Sequence, residues 1–136
     1  MEDQMRVMVI GKEKEFLDVA GEAAEMASWE LITASSRRAA LQKVDSESPS
    51  VIILGYLEPQ GEAFKLHKLL KQNEDTSTIP LIIVDVEPTE RNHKGWQKAH
   101  GMEMNAEDYL NQPVTAPELV RSVVSVLSEN TIDTIK

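Results

Sequence analysis

The sequence predicts one α/β domain, a three-layer α/β/α sandwich built on a five-stranded parallel sheet of order 2-1-3-4-5. Three observations predict it. Short, nearly uninterrupted apolar runs recur along the chain, as strands buried on both faces require. Segments with apolar residues at helical spacing fill the gaps between those runs. The alternation runs along the chain as far as Glu129, and the 136 residues hold no internal repeat and no low-complexity segment. Parallel neighbours need crossover helices, the crossovers are right-handed, and 2-1-3-4-5 is a common doubly wound solution for five such units.

The elements follow in order. Arg6-Val7-Met8-Val9-Ile10 is the first apolar run. Phe16, Ala20, Ala23 and Ala27, with Leu17 and Ala24 beside them, mark the first helix. Glu30-Leu31-Ile32-Thr33-Ala34 is a second, less apolar strand, with Trp29 packing at its edge. Ser35-Ser36 is a helix start signal, and Ala39, Ala40, Leu41 and Val44 follow it. Ser50-Val51-Ile52-Ile53-Leu54 is the third strand, rich in β-branched residues, and Phe64, Leu66, Leu69 and Leu70 mark the third helix. Leu81-Ile82-Ile83-Val84 is the fourth strand. Thr89 is positioned to cap a fourth helix over Pro88 to His100, whose apolar face is thin: Trp96 and Ala99. Asp108-Tyr109-Leu110 is the fifth strand. Leu119, Val120, Val123, Val124 and Leu127 form the stripe of the last helix; Thr115 and Glu118 make a capping box in front of it, and Pro117 suits its first turn. Residues 1–129 are read as the domain, and residues 130–136 as a frayed tail or the start of a linker.

Composition excludes several classes. Apolar residues are 41% of the chain, enough for a core without staples, and the absence of cysteine excludes disulfides and thiolate metal sites. No run approaches the roughly 20 apolar residues of a membrane span, and the start of the chain does not read as a signal peptide. The net charge of −9 disfavours phosphate backbones. The expectation is a cytoplasmic, bacterial domain without nucleic-acid or membrane partners.

In open parallel sheets ligands and chemistry gather outside the carboxyl ends of the strands. That rule selects four loops: Gly11 to Glu13, Gly55 to Glu58, Asp85 to Glu87, and Asn111 to Pro113. These loops and their surroundings resemble the response-regulator receiver (CheY-like) family, whose fold is flavodoxin-like. The resemblance runs from Arg6 to Leu127. It rests on the segment from Val51 to Pro59, the segment from Ile79 to Val84, and the run from Ala106 to Pro113. It implies a domain of two-component signal transduction.

The same resemblance locates what this chain lacks. The two acidic residues that hold magnesium in the family fall on Gly11 and Lys12, with Glu13 the acidic residue retained. The phosphoaccepting aspartate falls on Gly55, the hydroxyl residue that ends the fourth strand falls on Asp85, and the lysine before the last proline falls on Gln112. Glycine has no side chain to phosphorylate. Magnesium requires oxygen ligands in near-octahedral array, and phosphoryl transfer requires cationic clamps. The reading is therefore a pseudo-receiver with no catalytic residue, no metal and no cofactor. It would act through a protein partner, a signalling protein or output domain, on the face formed by the fourth helix, fifth strand and last helix, around Trp96, Tyr109 and Val114. A homodimer is compatible with it. Met102 and Met104 add adaptable apolar surface near that face.

Two further expectations concern side chains. Lys12 and Asp85 are expected to pair across the crevice. Tyr109 matches the family's aromatic switch residue and is expected to keep one dominant rotamer. Two other readings stay open at this point: a small-ligand sensor or enzyme anchored on Lys12, Asp85 and Glu58, and a phosphorelay receiver using Asp85 or Glu58 as acceptor. Glu13, Glu58, Asp85 and Glu87 read as a solvated acidic rim. His67, His93 and His100 lack ligand spacing, and His67 is expected on the surface. The lone Gly11 makes no phosphate-binding glycine loop.

Overall fold

A computed structural model describes residues 4–87 and 106–135, with side chains described as far as residue 128. Five strands form a single parallel sheet of order β2-β1-β3-β4-β5, the predicted order. They are β1 (Arg6–Ile10), β2 (Glu30–Ala34), β3 (Val51–Leu54), β4 (Leu81–Asp85) and β5 (Asp108–Asn111). The helices among the described residues are α1 (Lys14–Ala27), α2 (Arg37–Glu47), α3 (Glu62–Gln72) and a C-terminal helix, Ala116–Ile135. The expected fourth helix over Pro88 to His100 lies outside the described residues.

The period of two along each strand sorts its side chains onto the two faces. Val7, Val9, Val51, Ile53, Ile82 and Val84 join one cluster with Phe16, Ala20 and Ala23 of α1 and Leu119, Val123 and Val126 of the C-terminal helix. Met8, Ile10, Ile52, Leu54, Leu81 and Ile83 face the other way, against Ala40 and Val44 of α2 and Ala63, Leu66 and Leu70 of α3. This double burial is why the central strands read as unbroken apolar runs.

Local signals set the helix ends. Ser36 Oγ accepts the Ala39 N–H at 3.1 Å and caps α2. Gly61, the N-cap of α3, has φ of 100°, a left-handed conformation that favours glycine. The capping box forms: Glu118 Oε1 accepts the Thr115 N–H at 2.8 Å, and Thr115 Oγ1 accepts the Glu118 N–H at 3.3 Å. The C-terminal helix continues to Ile135, through the segment that the sequence pattern leaves without an element.

Three sequence expectations are corrected by packing. His67 is buried rather than on the surface. It shares the inner face of α3 with Ala63 and Leu70, four residues before and three after it, and stacks on Phe64 with ring centroids 5.7 Å apart. Trp29 is a core residue of the first cluster rather than edge packing. Val114 is also buried in that cluster, so its side chain is core and not contact surface. In each case helical or strand periodicity leaves open how far the neighbouring layer extends over the residue.

Candidate functional site: a crevice filled from within

All four loops named by the strand-end rule meet at the carboxyl edge of the sheet. Gly11 and Gly55 lie directly beyond β1 and β3. Their backbones extend the ladders: Gly11 N–H donates to Ala34 O at 2.9 Å, and Gly55 N–H donates to Ile10 O at 2.7 Å. Both glycines are buried.

The space above them belongs to Phe16, from the first turns of α1. A Cβ at Gly11 would lie 2.6 Å from Phe16 Cε2 and 2.7 Å from Cδ2. A Cβ at Gly55 would lie 2.6 Å from Cε2 and 3.0 Å from both Cδ2 and Cζ. Carbon atoms pack at about 3.5–4.0 Å, so neither position admits a side chain while the ring is in place. Phe16 is 2% exposed. One buried ring therefore fills the space above both glycines, the positions that the sequence resemblance assigns to an acceptor and a metal ligand. Sequence reasoning placed Phe16 correctly on the inner face of α1 but saw only a core residue there.

A salt bridge crosses the outside of this apolar contact. Lys12 Nζ lies 3.0 Å from Glu58 Oε1, with the two side chains 59% and 58% exposed. The expected Lys12–Asp85 pair does not form. Lys12 turns outward to the loop after β3, while Asp85 is 2% exposed and turned inward. Such an exposed pair contributes about 0–1 kcal/mol.

Asp85 has different partners. Leu81, Ile83 and Asp85 alternate onto one face of β4, and Tyr109 is the Cα partner of Ile83 in β5. From there the Tyr109 hydroxyl reaches two residues along and donates to Asp85 Oδ2. Asp85 Oδ1 accepts the Val86 N–H at 2.8 Å. Tyr109 is half-buried against the second cluster.

The remaining positions also meet. Gln112 Nε2 donates to Glu13 Oε1 at 3.4 Å, so the loops after β1 and β5 touch here. Glu13, Lys14, Glu15, Glu87 and Gln112 line a groove of about 460 Å³ beside the crevice. Lys12 does not line this groove and its side chain is exposed. The residues do not fit a magnesium ion: Gly11 offers no ligand, Phe16 fills the space, and Lys12 brings a like charge. No group of three or more potential metal ligands occurs among the described residues. No described helix is long and apolar enough to cross a membrane. Trp96, His93, His100, Met102 and Met104 lie outside the described residues.

No protein-family model matches the chain. Among curated proteins it is 28% identical over 121 residues to the phosphate regulon transcriptional regulatory protein PhoB of Pseudomonas aeruginosa, covering 89% of this chain and 51% of that one. It is 33% identical over 82 residues to protein PilH of the same organism, covering 60% of this chain and 64% of that one. The chain spans about half the length of the first of these relatives. Among solved structures, the chemotaxis response regulator CheY4 of Vibrio cholerae superposes with a TM-score of 0.74 at 19% identity, covering 91% of this chain and 99% of that one. The homologues of this chain are thus response-regulator receiver domains, and its own fold is the CheY-like, flavodoxin-type arrangement.

Proposed function

We propose that this chain is a pseudo-receiver: a receiver-type signalling domain that takes up no phosphoryl group and acts by binding a protein partner. The observation that carries this reading is the Phe16 ring, which lies within 3.0 Å of any Cβ built at Gly55 and within 2.7 Å of one at Gly11. Acceptor loss at one position is a single change. Here the space for acceptor and metal is also occupied by apolar carbon, and Lys12 is engaged by Glu58. Neither Asp85 nor Glu58 suits the role of substitute acceptor, because Asp85 is buried and engaged by Tyr109, while Glu58 is paired with Lys12. The partner would meet the side of the domain formed by β5 and the C-terminal helix; Trp96, which the sequence reading assigns to the same face, lies outside the described residues. Tyr109 is the half-buried residue of that side, and Val114 supports it from within.

The test is an amide NMR spectrum of the full chain with and without beryllofluoride or acetyl phosphate and magnesium. No shifts are expected. Specific shifts clustered at Gly55, Asp85 and Gln112 would overturn the reading.

A further inference from the structure

At the carboxyl ends of β4 and β5 there is a polar contact that the filled pocket does not require. Asp85 is the one carboxylate-bearing residue that is buried among the described residues. Its two oxygens face different elements. Oδ2 takes the hydroxyl of Tyr109 from β5, and Oδ1 takes the N–H of Val86, the first residue after β4. A buried polar group that loses its hydrogen-bond partner recovers little from solvent. The two strands are already in register here: Asp85 is the Cα partner of Asn111, and Tyr109 that of Ile83.

We infer that Asp85 is a built-in clasp: it holds the Tyr109 ring in one inward position and so fixes the crevice ends of β4 and β5 against each other without any bound ligand. The argument is steric as well as electrostatic. The ring packs against the second cluster and its hydroxyl is anchored beyond Ile83, so swinging outward would break the hydrogen bond to Asp85 and withdraw the ring from that cluster. With an apolar residue at 85 the packing would remain and the anchor would not. The half-buried surface around Tyr109 is then set by the sequence itself and does not wait for a signal at the crevice. The clasp does not depend on Phe16, so this inference and the filled pocket can fail separately.

The experiment is aromatic relaxation-dispersion NMR on the full chain, with Tyr56, the other of its two tyrosines, as internal reference. In the wild type the Tyr109 ring should give one resonance and flat dispersion. In Asp85→Ala it should exchange on the microsecond-to-millisecond timescale, with a second position rising from below about 1% to above about 10%. Exchange of Tyr109 in the wild type overturns the clasp, as does a static Tyr109 in a folded Asp85→Ala. If that variant does not fold, Tyr109→Phe keeps the ring and removes the hydroxyl. The ring at 109 should then exchange and the Val86 amide should shift; a static ring overturns the inference. In either folded variant the magnesium and beryllofluoride spectrum should still be unchanged, which keeps this test distinct from that of the filled pocket.

Discussion

Gly55→Ala isolates the steric part of the filled crevice. The new methyl carbon would lie 2.6 Å from Phe16 Cε2 and 3.0 Å from Cδ2 and Cζ. The ring must retreat by about 1 Å to reach ordinary contact. Overpacking of this kind costs about 1–3 kcal/mol. Replacing glycine by alanine also restricts the unfolded chain, which offsets about 0.4–1 kcal/mol. The net expectation is a loss of about 1–2 kcal/mol. Phe16→Leu, a shorter side chain, should remove the collision, so that Gly55→Ala in that background is neutral or stabilising. The assay is urea unfolding followed by circular dichroism, with all four proteins of the double-mutant cycle. An equal cost for Gly55→Ala in both backgrounds would refute the reasoning, as would no cost beside Phe16. Gly55→Asp should be worse than Gly55→Ala, since it adds a carboxylate to a site with no cation inside it.

Three other predictions follow from single contacts. Gly21 lies inside α1, and a Cβ there would meet nothing within 4 Å, so Gly21→Ala should raise stability by about 0.5–1 kcal/mol, read as a higher urea midpoint. Lys71, its side chain 9% exposed, lies 3.2 Å from Glu107 Oε1, which also accepts the Leu81 N–H at 2.6 Å. Lys71→Ala should therefore cost about 1–3 kcal/mol and Lys71→Met less, because the methionine keeps the packing of the stem; equal costs would argue against a role for the charge. The backbone N–H and then the hydroxyl of Thr115 hold the Glu118 carboxyl below its ordinary value of 4.5. A depressed carboxyl stabilises the fold above its unfolded value, and that contribution is lost as pH falls through the folded one. Carboxyl ¹³C titration should place Glu118 below 4.5, and Thr115→Ala should return it toward that value.

The elements that the chain announces are those governed by local chemistry. Val7 to Ile10, Val51 to Leu54 and Leu81 to Val84 are apolar on both faces because both faces are covered, and that property is written residue by residue. Ser36 and the Thr115–Glu118 pair cap their helices through partners three residues away, so they too can be read directly. The crevice positions Gly11, Lys12, Gly55, Asp85 and Gln112 are legible because strand ends fix where a crevice must be, and Glu13 and Gln112 do come within bonding distance there. What fills the crevice is not legible.

Periodicity assigns Phe16 to the inner face of α1, yet which atoms its ring touches depends on how α1 lies over the ends of β1 and β3. Lys12 illustrates the same limit. Its number of candidate carboxylates was small, but the choice of Glu58 over Asp85 follows from Asp85 turning inward to Tyr109, a contact set by the register of β4 on β5. His67 and Val114 read as surface positions and are buried for the same reason, because burial belongs to the neighbouring layer. The sequence by itself determined the strands and their order, and it put glycine at the ends of β1 and β3. Only the tertiary structure decided that a phenylalanine occupies the vacated space and that Asp85 clasps Tyr109, since side-chain partners distant in sequence are chosen by packing geometry, which no local pattern encodes.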